Sequence, residues 1–180
     1  MNFTITQYWI ALDKSKYTWD KENKILNTDK GGLVLDFSNM DWVTFKTGYG
    51  CTFKTGFNCN FDTNFNCTFD TGSWCNFNTG NYCSFNTHDR CTFKTGFDCV
   101  FKTWWECTFN TGYYCSFNTA YGCTFKTGRN CTFNTGCNSI LTTGSECVVI
   151  RTDYHEIIEL KENQTIKLNT HWVHWFSVIG

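Results

Sequence analysis

Hydrophobic and polar residues alternate along most of the chain in a pattern that recurs every eight residues. From Val43 to Thr143 each repeat reads Cys, polar, Phe, polar, Thr, usually Gly, and two variable residues, as in CTFKTGFD from Cys91 to Asp98. In an extended chain Cys, Phe and Thr point to one side and the polar residues to the other, which is typical of a half-buried β-strand. A strict period over so much of the chain predicts stacked copies of one unit.

Each repeat is expected to contain about five residues of strand and three of turn. We expect the sixth residue, Gly96 for example, to turn the chain because glycine reaches backbone angles that side chains disfavour. One such unit cannot enclose a core, but two can, as a flattened coil of about 16 residues with one strand in each of two facing sheets. The predicted fold is therefore all-β, a two-sided parallel β-solenoid (β-helix) with capping segments at both ends.

Stacking of the coils brings equivalent residues together in parallel, in-register ladders, about 4.8 Å apart. Residues sixteen apart, such as Cys83 and Cys99, are expected to be neighbours in one sheet, whereas residues eight apart, such as Cys91 and Cys99, are expected to lie on opposite sheets. Phe then faces Phe in the middle of the coil, and Cys faces Thr near its edges. The pattern thus predicts a core built on a continuous Phe ladder.

The repeat weakens toward both ends of the chain. Leu35 and Phe37 are in phase with Val43 and Phe45, so we expect the first coil to begin near Leu35, and Val149 is the last residue in phase. Because an open solenoid end exposes unpaired strands, the flanking segments are expected to be caps. We predict an N-terminal cap at residues 1–34, the solenoid at 35–152, and a C-terminal β cap at 153–180 with strands at His155–Leu160, Thr165–Asn169 and Trp172–Ile179.

Thirteen cysteines in a chain of 180 residues would ordinarily indicate a disulfide-rich secreted protein. In this stack, however, neighbouring Cβ atoms of a Cys ladder are about 4.8 Å apart, farther than the roughly 3.5–4.5 Å that a disulfide prefers. We expect reduced, buried thiols, with Cys137 exposed in a turn. A ladder of metal-bound thiolates is the alternative, although metal sites usually combine ligands close in sequence with His. Together with an N-terminus that lacks the features of a signal peptide, this predicts synthesis in a cytoplasm.

Charge and motifs give few signs of chemistry. The net charge of −1 does not favour a nucleic-acid partner, and no segment is long and apolar enough to predict a membrane partner. His171 and His174 form an H-x-x-H pair without a third ligand at a usable spacing, and His88-Asp89-Arg90 is a charged cluster in a turn. Paired carboxylates, a nucleophile elbow and a phosphate loop are absent from the sequence. We expect no catalytic residues, no metal and no cofactor, and hence a protein that is not an enzyme.

Aromatic residues recur in the turns, where Asn, Asp, Ser and Gly are usual. One edge of the coil is predicted to present Tyr49, Phe65, Tyr82, Phe97, Tyr113 and Tyr114, and the opposite edge Phe57, Trp74, Trp104, Trp105 and Tyr121. These rings either pack over the corners of the coil, or form a stripe that binds a glycan, a protein partner or a second copy of the chain.

The repeat resembles the short-period β-solenoids of virus and phage structural proteins and of bacterial surface proteins. The segment CVVIRTDYHEIIELKENQTIKLN from Cys147 to Asn169 is similar to the end segment of uncharacterised octapeptide-repeat proteins from phage and from environmental sequences. The resemblance implies a virion or phage-encoded protein and brings no known activity or functional residues. We expect a non-catalytic structural or adhesive β-solenoid, such as a virion fibre or surface-attachment module, whose aromatic edges predict a homo-oligomer, a glycan or a host surface protein as partner. A rigid intracellular inhibitor of a host protein is the first alternative. An ice-binding protein is the second, although lysines beside the outward Thr rows do not favour it.

Overall fold

The computed structural model describes residues 3–170, 173 and 175–179, which form two facing sheets of eleven strands each. In chain order the strands are β1 (Thr4–Gln7), β2 (Ile10–Ala11), β3 (Thr18–Asp20), β4 (Ile25–Asn27), β5 (Leu33–Phe37), β6 (Thr44–Thr47), β7 (Thr52–Thr55), β8 (Asn60–Thr63), β9 (Thr68–Thr71), β10 (Asn76–Asn78), β11 (Ser84–Thr87), β12 (Thr92–Lys94), β13 (Val100–Lys102), β14 (Thr108–Asn110), β15 (Ser116–Asn118), β16 (Thr124–Lys126), β17 (Thr132–Thr135), β18 (Ile140–Thr142), β19 (Cys147–Arg151), β20 (Glu156–Leu160), β21 (Thr165–Leu168) and β22 (Phe176–Val178). A short 3₁₀-helix lies at Lys14–Lys16.

Successive repeats alternate between the two sheets, as the octapeptide period predicts. Sheet A has the order β2-β1-β5-β7-β9-β11-β13-β15-β17-β19-β20, and sheet B has the order β22-β21-β18-β16-β14-β12-β10-β8-β6-β4-β3. Phe93 pairs in parallel register with Phe77 and Phe109, sixteen residues away on either side. Phe85, eight residues away, lies in the other sheet. The two-sided parallel β-solenoid is therefore confirmed.

The core is a double ladder of phenyl rings. Within a sheet the rings of Phe77 and Phe93 stack with centroids 4.8 Å apart and planes 3° apart. Across the coil, Phe85 and Phe93 meet edge to face at 5.1 Å and 76°, the arrangement that the ring quadrupole favours. These rings are buried, and each contributes about 1.5–3 kcal/mol through burial alone. The ladder therefore supports every coil in the same way.

Thiols and threonine hydroxyls fill the narrow margins of the core on either side of the phenyl rings. All thirteen cysteines are unbridged, and twelve of them are buried. Cys137 lies in a turn, as expected, but it is half-buried rather than exposed. Most repeat threonines are buried as well.

The turn geometry differs from the prediction for glycine. The left-handed conformation falls on the eighth residue of the repeat, with φ of +63° at Trp74 and +58° at Tyr82, whereas Gly96 and Gly112 lie outside that region. Glycine occupies the sixth position because the turns of successive coils approach closely there. A Cβ atom on Gly112 would lie only 3.0 Å from the carbonyl oxygen of Gly96. The prediction that this glycine provides the turn angle is wrong.

The N-terminal end also differs from the predicted phase. Leu35 pairs with Phe53, and Phe37 with Thr55, so Leu35 occupies a Phe position and the predicted alignment is wrong by two residues. The turn that follows explains the shift. Phe37 pairs with Thr55, and the carbonyl oxygen of Met40 accepts a 3.2 Å hydrogen bond from the N–H of Gly56. Thr55 and Gly56 are consecutive, whereas two residues separate Phe37 from Met40, so this turn is two residues longer than the later ones. Parallel pairing also reaches farther upstream, because Leu26 of β4 pairs with Phe45 of β6.

Antiparallel strands end the stack on both sheets at both ends. At the N-terminal end β1 and β2 cover sheet A and β3 covers sheet B. At the C-terminal end β20 pairs with β19, and β21 and β22 continue sheet B beyond β18. The three strands expected in the C-terminal segment are present, although Trp172, in the last predicted strand, lies outside the described residues. Three of the four outermost strands, β2, β3 and β22, have only two or three residues and therefore leave short unpaired edges.

Candidate functional site: two aromatic edges

The turns between strands form two opposite edges of the rod. The first edge consists of turn residues 48–50, 64–66, 80–82, 96–98, 112–114, 128–130 and 144–146. The second edge consists of residues 40–42, 56–58, 72–74, 88–90, 104–106, 120–122 and 136–138. Each turn contributes the sixth, seventh and eighth residues of a repeat, so each edge has three parallel rows of side chains spaced about 4.8 Å apart.

Aromatic rings stack along the seventh-position row of the first edge. Tyr49 and Phe65 stack with centroids 5.3 Å apart and planes 8° apart. Phe97 and Tyr113 stack at 5.0 Å and 2°. Because the rings lie face to face along the row, neighbouring rings cover part of each other's faces and leave their rims toward solvent.

Asn81 occupies the row between these two pairs of rings. Its Oδ1 atom accepts a hydrogen bond of 3.0 Å from the backbone N–H of Phe97 in the next coil. Asp41 does the same for the N–H of Phe57 at the second edge, also at 3.0 Å. Asn81 and Asp41 thus tether the next turn, whereas the aromatic residues in the seventh-position row of the first edge stack in pairs.

The eighth-position row of the first edge adds two tyrosines. Tyr82 meets Phe97 edge to face at 5.3 Å, and Tyr114 meets Tyr113 edge to face at 5.4 Å. Both tyrosines have positive φ, a conformation that costs an ordinary side chain about 1–2 kcal/mol. The stack therefore holds large exposed rings in a backbone conformation that Gly or Asn would adopt more easily.

An N-terminal hairpin extends the first edge. Tyr8 and Trp9 form the two-residue loop between β1 and β2, both with positive φ as in a type I′ turn, and Trp9 is 95% exposed. Gln7 pairs with Leu33 and donates a 2.9 Å hydrogen bond to the carbonyl of Gly31, beside the turn of Tyr49. The sequence did not predict this hairpin, since Tyr-Trp is an unusual pair for such a loop.

The second edge has a denser cluster of rings. Trp105 stacks on Tyr121 at 5.6 Å and 22°, and Trp104 meets Trp105 edge to face at 5.5 Å. In the sixth-position row Trp104 stacks on His88 at 5.7 Å. The next residue in that row is Ala120, so the other indole face of Trp104 has no ring against it in the row.

Charged groups adjoin this cluster. The guanidinium of Arg90 lies 4.8 Å from the ring centroid of Trp74, and Arg90 Nε is 2.7 Å from Glu106 Oε2. Hydrogen bonding to Glu106 raises the pKa of Arg90 further; since arginine is always protonated, the guanidinium is a permanent cation over the indole. Ser73 Oγ donates a 2.9 Å hydrogen bond to Asp89. The predicted His88-Asp89-Arg90 cluster is therefore linked to the neighbouring turns on both sides.

The turn backbone does not need the rings for its hydrogen bonds. Turn amides bond to the next coil, as in Trp74 N–H to Asp89 O at 3.1 Å and Tyr114 N–H to Arg129 O at 3.1 Å. Glycine amides bond to glycine carbonyls, as in Gly112 to Gly96 at 2.9 Å. The aromatic residues are thus additional to the hydrogen bonding that holds the turns together.

The predicted aromatic residues all lie at the edges to which the sequence assigned them, and most are about half exposed. Tyr49 is 54% exposed, Phe57 50% and Trp74 51%, whereas Phe97 and Trp105 are more covered. The structure adds Trp42, with positive φ, to the second edge. A binding role for these residues stays a prediction.

Other candidate chemistry is less well supported. Among residues 3–170, 173 and 175–179 no group of three or more His, Cys, Asp and Glu side chains is arranged to hold a metal ion. His171 and His174 lie outside the described residues. Hydrogen bonding to neighbouring thiols and burial raise the pKa of Cys91 and Cys99, which keeps these thiols protonated. In the described part of the chain no helix has the length and apolar character to cross a membrane.

Comparison with known proteins does not extend this description. No protein-family model, no curated protein and no solved structure matches the chain.

Proposed function

We propose that this chain is a non-catalytic structural or adhesive rod, such as a virion fibre or a surface-attachment module, whose aromatic edges contact its partners. The observation that supports the proposal most strongly is the pair of half-exposed aromatic edges on a stack whose turns are already hydrogen bonded from coil to coil. Monomeric proteins rarely expose long apolar strips, and such strips often mark interaction surfaces.

The geometry of the first edge favours contact with protein. Because Tyr49 covers Phe65, and Phe97 covers Tyr113, a sugar ring has little free face on which to stack. The ring rims instead form two apolar patches in one row, with Asn81 between them. A second copy of this rod is a partner whose side chains repeat at the same spacing of about 4.8 Å.

The rod proposal is tested by replacing Tyr49, Phe65, Phe97 and Tyr113 with Ser. The fold should persist, since the Phe ladder is untouched, and self-association measured by light scattering after size exclusion should be lost. The matched control replaces Lys46, Lys94, Lys102 and Lys126 with Ser on the outer faces of the sheets. A wild type that is monomeric and binds no glycan on an array would overturn the proposal.

Glycan binding at the second edge is a second candidate, favoured by Trp104, which is 52% exposed and has no ring beside it in the row on the side of Ala120. The Trp104 ring stacks on His88 on one side and is followed by Ala120 on the other. A pyranose presents a face of C–H groups that suits such an indole, and Tyr121 lies beside Ala120 with a hydroxyl for hydrogen bonding.

Matched tryptophan variants test the glycan candidate. Trp104→Ala should abolish binding to a glycan array, whereas Trp74→Ala should not, because the Arg90 guanidinium already lies over that ring. Ala120→Trp should also abolish binding by covering the free face. Equal binding by all three variants would contradict a glycan site at Trp104.

The other two candidate functions have weaker support. An inhibitor that mimics nucleic acid would need a strongly acidic stripe, yet Lys54 and Asp70 occupy adjacent coils in the same ladder. An ice-binding surface would need flat rows of short side chains, yet Lys94 and Lys126 are exposed beside Thr92 and Thr124. The rod proposal therefore stands first.

A further inference from the structure

Five consecutive residues in the seventh-position row of the first edge read the same in both directions. From coil to coil they run Tyr49, Phe65, Asn81, Phe97, Tyr113. The stacked pairs Tyr49–Phe65 and Phe97–Tyr113 have similar spacings, 5.3 Å and 5.0 Å. Asn81 is the centre of this order.

A two-fold symmetric interface places residue i opposite residue j and residue j opposite residue i. When two rods meet through the first edge in opposite directions, the symmetry axis crosses the row at Asn81. Tyr49 then faces Tyr113 of the second copy, and Phe65 faces its Phe97. In a parallel pair each residue of this row would face the same residue of the second copy, whatever the order of residues in the row.

We infer that the first edge is an isologous interface for a second copy of this chain, with the two rods antiparallel and the two-fold axis at the turn of Asn81 and Tyr82. The inference rests on the proposed function and names the partner of its first edge. In this arrangement the rims of the aromatic rows meet over five coils, and the polar outer faces of both sheets stay in solvent.

The eighth-position row agrees with this arrangement, because eighth-position residues then face one another across the interface. The bulky Tyr114 lies opposite Gly50 of the second copy, where the row has space. Asp98 lies opposite Asn66, which has an amide to donate. Tyr82, which is 53% exposed, lies at the axis and faces Tyr82 of the second copy. The pairs thus match in size and in hydrogen-bonding character.

Charge also distinguishes the two directions. Arg129 follows Tyr113 in the row and is exposed. In a parallel pair it would face Arg129 of the second copy, which is unfavourable. In the antiparallel pair it faces the turn of Gly31, which precedes Tyr49 in the row. That turn also holds Lys30 and Asp29, which pair with each other at 3.2 Å, so the antiparallel pair avoids the contact between two arginines.

Cysteine cross-linking tests the direction of the pair. In a Cys137→Ser background, Tyr49→Cys and Tyr113→Cys proteins, one of them with a larger tag, are mixed and oxidised. We expect disulfide-linked dimers that contain one of each and no dimers from either protein alone. Dimers of the Tyr49→Cys protein with itself would overturn the antiparallel arrangement while leaving self-association in place.

A charge placed on the axis gives a second test without oxidation. Asn81→Asp keeps an oxygen for the Phe97 N–H but brings two carboxylates together across the axis. Dimerisation measured by analytical ultracentrifugation should weaken about tenfold or more at neutral pH and recover at about pH 3, where carboxylates are protonated. Asn118→Asp, on the outer face of sheet A, should have no such effect. Unchanged dimerisation of the Asn81→Asp protein would refute the axis, and a monomeric wild type that still binds glycan would refute this inference while the rod proposal survives.

Discussion

Arg151 and Asp153 form a bidentate ion pair in the C-terminal cap. Arg151 Nε lies 2.8 Å from Asp153 Oδ1, and Nη2 lies 2.7 Å from Oδ2. The arginine side chain is fully buried. It also donates to the carbonyl oxygens of Asn169, Val173 and Trp175. One side chain therefore fastens the last segment of the chain to the end of the solenoid.

Arg151→Met should destabilise the protein strongly. Methionine keeps much of the volume but removes the guanidinium that donates to the Asp153 carboxylate and to three carbonyl oxygens, and breaking a buried pair from one side costs about 3–5 kcal/mol. Urea unfolding followed by circular dichroism measures the change. Lys102→Met on the outer face of sheet A is the control and should change stability by less than about 1 kcal/mol.

The Phe ladder predicts that substitutions on the two faces of one strand differ greatly in their effect on stability. Phe93→Ala should cost about 3–5 kcal/mol, because rigid coils on both sides cannot collapse into the cavity. Lys94→Ala, on the outer face of the same strand, should cost well under about 1 kcal/mol. The two variants are compared in urea melts, and similar midpoints would show that the buried and exposed faces are assigned wrongly.

The two glycine roles can be separated by substitution in one turn. Gly112→Ala should destabilise the protein by about 1–3 kcal/mol, because its Cβ would lie 3.0 Å from the Gly96 carbonyl oxygen. Tyr114→Gly should leave stability nearly unchanged, since relief of the positive φ offsets the lost ring contact. The melting temperatures of the two variants, compared with that of the parent protein, test these expectations. A stable Gly112→Ala variant together with a destabilised Tyr114→Gly variant would contradict the roles assigned to the two positions.

The central repeats could be predicted from the sequence because every coil obeys one rule. The alternation of Cys, Phe and Thr fixes which side chains are buried, and the period fixes which residues stack. The phase of Leu35 could not be predicted, since the two extra residues between Phe37 and Met40 shift the register without altering the hydrophobic alternation. Features that depend on tertiary contacts, such as the register of Leu35, could not be predicted from the repeat period alone.

The same limit applies to the candidate site. The turn positions of the aromatic residues follow from the repeat, so both edges could be predicted. Ring orientation could not, because it depends on the left-handed backbone at Tyr82 and Tyr114. Arg151 left a visible signal, since it stands where the repeat has Thr and pairs with Thr135. A charged residue in a buried position of the ladder marks the start of the cap.

Thiol labelling should separate Cys137 from the ladders. Cys137 is half-buried in a turn, whereas the other twelve cysteines are buried. We expect an alkylating reagent to modify Cys137 in the native protein and the remaining thiols only after denaturation, as read by mass spectrometry. A reducing agent should leave the melting temperature unchanged, and several intramolecular disulfides would contradict the structure.

Three of the buried thiols, those of Cys67, Cys91 and Cys99, should make the stability of the protein fall in alkali. In the folded protein the pKa of Cys67, Cys91 and Cys99 is raised from 9.0, largely through hydrogen bonding to neighbouring thiols and through burial. Above about pH 9 the unfolded chain therefore releases these protons while the folded chain keeps them. The stability that Cys67, Cys91 and Cys99 contribute is fully present below that pH and falls as the pH rises, by about 1.4 kcal/mol per pH unit for each of them. Cys75, Cys83 and Cys107, whose pKa is lowered by hydrogen bonding within the same ladders, do not add to this fall.

Urea unfolding at about pH 8 and about pH 10, on either side of the ordinary thiol pKa, measures this slope. A Cys67→Ala, Cys91→Ala, Cys99→Ala triple variant should be less stable at the lower pH, because it loses buried sulfur atoms. Its stability should nevertheless fall less between the two pH values than that of the parent, since three of the groups that release protons only on unfolding are gone. A triple Lys→Ala variant at Lys46, Lys94 and Lys126 is the control and should keep the parent slope. Equal slopes in the thiol variant and the parent would mean that the ladder thiols ionise in the folded protein.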